Sequence, residues 1–331
     1  MNQISLPPGE PPSLVVVIDT EEQFDWYGDF DREATDVSAI LEFHPLQAIF
    51  EEFGIRPVFV MDYPMATTPC SIDYLGPLQA AGRAELGVHL HTWVNPPFDE
   101  EVNRPNSYQG NLPEALERRK LEELHAAFRN AFGFEPRVHK AGRYGLGVNT
   151  ASILHALGIE VDLSVAPAFD YSADGGPDYA RAPHTPRWLT DRVLGIPTSG
   201  GFVGPLLALG PRLHSARAYR SPAARNFARV LSRTRALERI MLSPEGHSLA
   251  KLERLTLALI ERGERLMTFS FHSSSVRPGA TAYVANEEAL KVFTRRCRQY
   301  FEFFFGTLGG RSMTATEARS RLGQIAGSPA A

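Results

Sequence analysis

Carboxylates and histidines follow three short, mainly apolar segments of this sequence, 14–18, 84–88 and 266–271. The residues concerned are Asp19, Glu21, Glu22, His89, His91 and His272. The first segment, Leu-Val-Val-Val-Ile, is typical of a strand that is buried on both faces. Because the carboxyl ends of parallel strands meet at one edge of a sheet or barrel, we expect these side chains to form a single site.

A carboxylate, two neighbouring histidines and a late histidine indicate a metal-dependent hydrolase. A divalent ion held by imidazole and carboxylate keeps open positions for water and substrate, lowers the pKa of its water and polarises a carbonyl oxygen. A second carboxylate can take the water's proton, and His272 can protonate the leaving group of an amide or ester. Lys140 or Arg143 can hold a substrate carboxylate or support the oxyanion.

The histidine pair His89 and His91 is separated by one residue. We expect only one of the two to face the mouth of the site unless the strand is distorted. His91 lies nearer the irregular segment 92–112, where the backbone is freer to bring an imidazole to the ion. His91 is therefore predicted to be the stronger ligand, with His89 turned outward or orienting a ligand through a hydrogen bond.

The elements that must position these residues alternate along the chain. Helical periodicity is predicted around 45–53, 113–132, 149–157, 249–262 and 286–305, with strands between these segments. This alternation favours parallel βα units. The proline-rich segments 92–112 and 166–190 are predicted to be long loops, and the first is expected to cover the substrate.

Segment 212–239 is strongly basic, with eight arginines against one acidic residue. Apolar residues are interleaved, so the part from about Ala223 is predicted to be a basic amphipathic helix. Such a helix is either a solvated face or a surface that attracts an anionic substrate or an anionic membrane.

Composition limits the class of protein. With 331 residues the chain can form one barrel or two modest domains, and 43% hydrophobic with 22% charged residues is ordinary for a globular protein. A net charge of -4 gives no general attraction to nucleic acid, and the two cysteines have no zinc or redox spacing. The first thirteen residues are polar and proline-rich, which predicts a cytoplasmic protein.

Five short motifs occur in a recognisable order. They are the acidic turn 19–22, Glu85-Leu86-Gly87-Val88-His89, Lys140-Ala141-Gly142-Arg143-Tyr144-Gly145, Asp162-Leu163-Ser164 and Phe271-His272-Ser273. Their order and spacing resemble the NodB-homology polysaccharide deacetylases, in particular the WalW-like branch. The resemblance extends over most of the chain.

The resemblance implies an α/β fold, a distorted (β/α)7 barrel over residues 14–322, with the basic helical insert at about 212–240. Residues 1–13 and 323–331 are then expected to be flexible ends. It also implies metal-dependent removal of acetyl groups from an N-acetylated sugar or polysaccharide precursor, free or linked to lipid or nucleotide. One divalent ion is expected, zinc being favoured over cobalt or nickel.

The resemblance also suggests roles for individual residues. Asp19 matches the catalytic base, His272 the catalytic acid, and Asp162 lies in the motif that supports the active site. The expected metal ligands are Glu21, His89 and His91, with Glu22 as the alternative to Glu21. The residues expected to contact substrate or the oxyanion are Lys140, Arg143, Tyr144 and Trp93.

The sequence departs from the family pattern in three places. Asp19-Thr20-Glu21-Glu22 replaces two adjacent aspartates, and the two histidines are separated by two positions instead of four, so that Trp93 stands where the second is usual. Lys140 replaces an arginine and cannot make the same bidentate contacts.

Two other functions remain open. The same fold could cleave a small cyclic amide or ureide. It could also be a metal-poor, inactive barrel that serves as a carbohydrate-binding or assembly protein in polysaccharide export. Metal content separates the inactive barrel from the enzymes. Release of acetate, as opposed to a ring-opened acid, separates the two enzymes.

Overall fold

A curled sheet of parallel strands is the centre of the computed structural model, which describes residues 4–26 and 28–326. The strands are β1 (Ser13–Thr20), β2 (Val58–Met61), β3 (Glu85–Leu90), β4 (Val138–Ala141), β5 (Val161–Asp162), β6 (Arg187–Trp188), β7 (Leu194–Gly195), β8 (Gly200–Val203), β9 (Glu238–Met241), β10 (Leu266–His272) and β11 (Arg311–Ser312). The sheet order is β10-β1-β2-β3-β4-β5-β7-β6, with β11 beside β1. The first seven strands in this order are parallel, which confirms the predicted distorted (β/α)7 barrel.

The helices surround this sheet. They are α1 (His44–Glu52), α2 (Tyr63–Thr67), α3 (Pro69–Ala80), α4 (Glu114–Phe132), α5 (Thr150–Ala156), α6 (Gly210–Leu213), α7 (Ala216–Tyr219), α8 (Pro222–Arg233), α9 (Leu249–Glu261), α10 (Glu287–Phe301) and α11 (Ala315–Ala326). In the described ranges, no helix is long and apolar enough to cross a membrane.

The sheet curls incompletely, because no ladder joins β7 to β10 among the described residues. The gap is bridged by a reciprocal pair of hydrogen bonds. The Ser199 amide donates to Thr268 Oγ1 over 2.7 Å, and the Thr268 amide donates to Ser199 Oγ over 2.9 Å. The antiparallel pair β8 and β9 follows Ser199 in the chain, and just after β9 the Leu242 carbonyl accepts from the Ser270 amide of β10 over 3.1 Å.

Successive side chains of each strand point to opposite faces of the sheet and pack in two separate hydrophobic cores. In β1, Leu14 and Val16 pack outward against the helices, whereas Val15 and Val17 pack inside the barrel. Since successive residues of a strand point to opposite faces, Asp19 continues the inward face at the carboxyl end of β1. The periodicity therefore decides which polar residues enter the barrel mouth.

The ends of the chain differ from the sequence expectation. Ile4 and Leu6 are buried in the same inner core as Leu266 and Leu322, so residues 4–13 pack against the barrel and do not extend freely. At the other end, α11 continues to Ala326, while residues 1–3 and 327–331 lie outside the described ranges.

Loop 92–112 is anchored over the barrel by a buried lysine. Lys120 Nζ donates to the carbonyl oxygens of Thr92, Asn95 and Pro97 over 2.9, 2.6 and 2.7 Å. Glu100 lies 3.0 Å away and balances the buried charge. These contacts fix the stretch that carries Trp93.

The basic insert forms α6, α7 and α8 and returns to the barrel through β9. The amphipathic helix expected from about Ala223 is α8, which begins at Pro222. Strand β5, which ends in one of the predicted site residues, comprises only Val161–Asp162.

Candidate active site

A cavity of about 590 Å³ opens at the carboxyl ends of the parallel strands. Its polar lining comes from four strand ends and includes Asp19, Glu21, His89, His91, Lys140 and His272. The volume lies in the range of small-molecule sites. The structure thus brings these six predicted site residues together.

A buried carboxylate and two imidazoles form the centre of the cavity. Glu21 Oε2 lies 3.5 Å from His89 Nε2 and 3.3 Å from His91 Nε2. Glu21 Oε1 is buried and has no hydrogen-bond partner among the described residues. An unsatisfied buried carboxylate oxygen is costly, so this atom suits a bound cation.

The hydrogen bonds behind the two histidines direct their metal-binding nitrogens into the cavity. His89 Nδ1 donates to the Lys140 carbonyl over 2.9 Å, and His91 Nδ1 donates to Glu22 Oε2 over 2.8 Å. When a ring is neutral with its proton on Nδ1, it presents the lone pair of Nε2 towards Glu21. Two imidazoles and one carboxylate fit a divalent ion such as zinc.

The local charges keep the Glu21 carboxylate ionised, as a ligand for a cation must be. Burial raises the pKa of Glu21, but the charge of His272 and hydrogen bonds from His89 and His91 outweigh it and hold that pKa far below its usual value. Burial lowers the pKa of His91, but the carboxylates of Glu22 and Glu21 raise it well above the ordinary value, so binding of a cation at Nε2 requires this ring to release a proton. For His89, burial has the larger effect and its pKa is lowered.

The expectation that only one histidine would face the site is wrong. Residues i and i+2 of a strand point to the same face, and Gly87, His89 and His91 continue the inward face of β3. Leu86, Val88 and Leu90 occupy the opposite face and pack in the outer core. Both histidines therefore reach Glu21 without distortion, and neither turns outward.

Glu22 supports the histidines. It faces away from Glu21, and its two oxygens accept from His91 Nδ1 and from Trp93 Nε1, each over 2.8 Å. Trp93 also stacks on the His91 ring with centroids 4.2 Å apart. Trp93, expected to contact substrate, is 1% exposed and chiefly positions the metal-binding side of the cavity.

Asp62, at the end of β2, completes this support. Asp62 Oδ2 accepts from the Glu22 amide and Oδ1 from the Met65 amide, each over 2.8 Å. Burial and the nearby Glu22 carboxylate raise the pKa of Asp62 well above its usual value. Glu22, Asp62 and His91 are close enough to hold an ion, but these hydrogen bonds already account for their arrangement.

Replacing Glu22 with glutamine is expected to weaken divalent-metal binding by roughly 10–100-fold, the usual effect of losing a group behind a metal ligand. Glutamine has one acceptor oxygen for two donors, so His91 Nδ1 loses its carboxylate partner. Metal titration of the purified variant measures the change. Glu117→Gln is the matched control, because Glu117 is a buried carboxylate outside the cavity lining that accepts from Gln109 and Thr150, and its loss should leave metal affinity unchanged. Unchanged affinity in the Glu22 variant would contradict this role.

Asp19 faces the triad from the other side of the cavity. Lys140 Nζ donates to Asp19 Oδ1 over 2.6 Å, and both side chains are almost fully buried. Lys140 was expected to contact substrate, whereas in the structure its ammonium group pairs with the Asp19 carboxylate. The Tyr144 ring lies beneath this ammonium, 4.8 Å from Nζ to the ring centroid.

His272 lies opposite the triad and is held by a glutamate. Its Nδ1 donates to Glu245 Oε2 over 2.8 Å, while Nε2 lies 4.0 Å from Asp19 Oδ2 and 3.9 Å from Glu21 Oε1. Burial lowers the pKa of His272, but the charges of Glu245 and Glu21 raise it to about 9. His272 therefore carries a proton at neutral pH.

Asp162 does not reach the cavity. Val161 and Leu163 point inward, so Asp162 points to the outer face of the barrel. Its carboxylate accepts from His139 Nδ1 over 2.8 Å and from Ser164 Oγ over 2.7 Å, and Ser164 Oγ in turn accepts from the Ala141 amide. Asp162 thus fixes the end of β4 behind Lys140 and has no contact with the reacting groups.

Arg143 and Tyr144 occupy a strained turn after β4. Their φ angles are 55° and 60°, in the left-handed region that residues other than glycine rarely adopt. Arg143 pairs with Ser107 and Asp174 and lies over the Tyr108 ring at 4.1 Å. Such strain is common at functional sites, and here it aims both side chains into the cavity lining.

Two supporting residues were not assigned from the sequence. Glu245 lies in a loop after β9, where no periodic pattern distinguishes it from a solvent-exposed acid. Asp62 follows a buried strand in the same way as Asp19, so its position at a strand end is the signal that could have found it. Both act by holding a residue of the cavity.

Solved structures share this architecture, although no protein-family model and no curated protein matches the sequence. A candidate polysaccharide deacetylase from Mycobacterium smegmatis is 14% identical, with a TM-score of 0.58 over 98% of this chain and 95% of that one. The allantoinase Puue is 12% identical, with a TM-score of 0.55 over 98% and 97%. A candidate polysaccharide deacetylase from Pseudomonas aeruginosa PAO1 is 13% identical, with a TM-score of 0.51 over 95% and 91%.

These likenesses concern the fold, since the identities are low. They agree with the sequence motifs in pointing to the same barrel, whose strand ends carry the cavity described above. The chain therefore has the fold of the NodB-type polysaccharide deacetylases.

Proposed function

We propose that this protein is a metal-dependent hydrolase that removes an acetyl group from an N-acetylated sugar or polysaccharide precursor. The supporting observation is the buried triad of Glu21, His89 and His91, with Asp19 and His272 lying across the same cavity. Ligands, a base and an acid are then within reach of one bound amide.

Each residue has a distinct part in this proposal. The triad would hold one divalent ion, zinc before cobalt or nickel, which when bound lowers the pKa of water and polarises a carbonyl oxygen. Asp19, held by Lys140, takes the proton of the attacking water. His272, protonated at neutral pH, donates its proton to the departing nitrogen.

The cavity walls support a saccharide substrate. Trp26 and Tyr283 form one aromatic wall beside His272, with ring centroids 5.4 Å apart. Tyr144 and Tyr171 stack at 5.5 Å on another part of the lining. Aromatic faces bind sugar rings, so we propose that these walls hold the sugar while its acetamide enters the triad; a lipid or nucleotide linked to the sugar would extend outside.

A small cyclic amide is the second candidate, supported by the structural likeness to an allantoinase. The same ligands, base and acid would open a ring by hydrolysis of its amide bond. The aromatic walls would then enclose a compact planar ring.

Reconstitution with metal tests the proposal. Chelated protein should be inactive, and zinc, cobalt or nickel should restore hydrolysis. Released acetate from N-acetyl sugars, free, nucleotide-linked or lipid-linked, would support the deacetylase, whereas a ring-opened acid would support the second candidate. Full activity without metal would contradict the mechanism, and protein that binds no metal and releases neither product would be an inactive barrel.

A further inference from the structure

The segment between β8 and β9 is the most basic part of the chain. Residues 205–237, here called the arginine segment, contain seven arginines and no aspartate or glutamate, although the whole chain has a net charge of -4. The segment includes α6, α7 and α8. Its charge is therefore a local feature and differs in sign from the chain as a whole.

Those arginines of this segment whose side chains the structure describes lack acidic partners. Six have described side chains, all exposed, and none lies within 4.0 Å of a carboxylate in the described ranges. They are Arg212, Arg220, Arg225, Arg229, Arg233 and Arg235. Elsewhere surface arginines are commonly paired, as Arg298 is with Glu52 and Arg137 with Glu160. The unpaired charge is available to an anionic surface.

Large apolar side chains are exposed in the same segment. Of twelve large hydrophobic residues exposed in the part of the chain that the structure describes, five fall between residues 206 and 230. They are Leu206, Leu207, Leu209, Phe227 and Val230. Clusters of exposed apolar residues mark interaction sites more often than isolated ones do.

Backbone contacts place the leucines beside α8. The Leu206 amide donates to the Ala236 carbonyl over 3.0 Å, and the Ala236 amide donates to the Leu231 carbonyl over 2.9 Å. Leu231 is buried and packs with Phe202, so it fixes one face of α8 against the domain. On other faces of the helix, Arg225, Phe227, Arg229, Val230 and Arg233 are exposed.

The solvent faces of α8 divide into two stripes. Phe227 and Val230 are three residues apart and share one side, whereas Arg225, Arg229 and Arg233 are spaced by four and share another. A helix that presents apolar residues beside a basic stripe has the pattern of helices that lie in a membrane interface.

We propose that the arginine segment docks on the surface of a bilayer that contains anionic lipid. Phenylalanine, valine and leucine side chains enter the boundary between headgroups and acyl chains, and the arginines pair with lipid phosphates. A nucleic acid would satisfy the arginines but not the exposed aliphatic side chains, so lipid accounts for both observations.

Docking would bring the cavity wall to the membrane. Phe169 lines the cavity and packs against the small core that contains Leu231. Next to it, Asp170 Oδ2 accepts from the Ala216 amide, at the start of α7, over 2.6 Å. The surface proposal is independent of the reaction proposed above, and the two together would favour a lipid-linked substrate.

Vesicle sedimentation tests the surface with metal-loaded protein. Binding to phosphatidylcholine vesicles that contain phosphatidylglycerol is expected at low salt, with little binding to phosphatidylcholine alone. Raising salt from 0.1 M to 1 M should weaken it, because the Debye length falls from about 10 Å to about 3 Å. Equal binding to both vesicles, or no binding to either, would overturn the proposal.

Two variants separate charge from insertion. The triple change Arg225→Glu, Arg229→Glu and Arg233→Glu, and the double change Phe227→Ser and Val230→Ser, should each weaken vesicle binding by about tenfold or more. The matched controls lie on α10, where exposed residues of similar types are changed. The double change Lys291→Glu and Arg295→Glu is the control for charge, and Val292→Ser is the control for insertion. Both should leave vesicle binding unchanged.

Two further measurements distinguish membrane docking from unfolding and from nucleic-acid binding. Unchanged thermal unfolding and metal content in all variants would show that the domain remains folded and that its metal site does not depend on the surface. Wild-type vesicle binding in both variants would overturn the proposal. A nucleic-acid surface would give a different result. Duplex DNA would displace the wild-type protein from vesicles, and the variant with Phe227→Ser and Val230→Ser would bind DNA and vesicles as strongly as wild type does. That result would also overturn the proposal.

Discussion

Replacing Glu21 with glutamine is expected to leave the protein with little bound divalent metal, whereas wild-type protein should hold about one ion per chain. The change removes the negative charge that lies 3.3–3.5 Å from both imidazole Nε2 atoms while preserving side-chain size. Affinity should fall by more than the roughly 10–100-fold caused by losing a group behind a ligand. Elemental analysis after dialysis measures occupancy, and hydrolysis should be lost in parallel.

Glu245→Gln is the matched control for losing a buried carboxylate at the same cavity. Glu245 contacts His272 and Ser275 and is not part of the triad, so metal content should remain near wild type. His89→Ala and His91→Ala should both lose metal, and by similar amounts, because both imidazoles face Glu21. Retention of full occupancy by the Glu21 variant, or by either histidine variant, would show that the ion is held elsewhere.

Replacing His272 with alanine is expected to lower kcat by roughly 10²–10⁴, the range for a lost general acid. The nearest carboxylate atoms of Asp19 and Glu21 lie 4.0 and 3.9 Å from Nε2, so the imidazole sits across from the triad and not within it. Metal content should therefore stay unchanged. Loss of metal together with activity would identify His272 as a ligand and overturn its role as the acid.

The dependence of kcat on pH is a second test of the role of His272 as the general acid. Burial lowers the pKa of His272, but the charges of Glu245 and Glu21 raise it, so its acid form is favoured and is lost on the alkaline side of the profile. Removing the charge with Glu245→Gln lowers the pKa of His272. The descending limb of the kcat profile should accordingly move to lower pH, while an unmoved limb would assign that limb to another group.

The sequence by itself determined which segments form the barrel and which residues end them. Apolar β-branched runs and helical periodicity are local, so the chain order of strands and helices follows from them. The inward position of Asp19, Glu21, His89 and His91 is also local, since it depends only on alternation from Val15, Val17 and Gly87. The prediction that only one histidine faces the cavity was wrong because residues i and i+2 of a strand point to the same face, which the sequence spacing of His89 and His91 already shows.

The alternation of side chains along a strand also determines the direction of the Asp162 side chain. Its neighbours Val161 and Leu163 face the barrel interior, so the carboxylate points outward to His139. Family resemblance places Asp162 in a supporting motif, and the structure keeps it as support for β4 through Ser164. A motif thus indicated the neighbourhood of the site, whereas strand geometry decided the direction of the side chain.

Tertiary structure alone determines which charged side chains pair with the predicted base and acid. Lys140 reaches Asp19 across 121 positions of sequence, and Glu245 reaches His272 from a loop with no periodic signal. These contacts depend on the ladder register, which sets His89 beside Lys140 and Asp19 beside His272. Register results from packing between distant segments. Local sequence patterns therefore predict which side chains could take part in the chemistry. Only the folded barrel determines which of these charged side chains pair with each other.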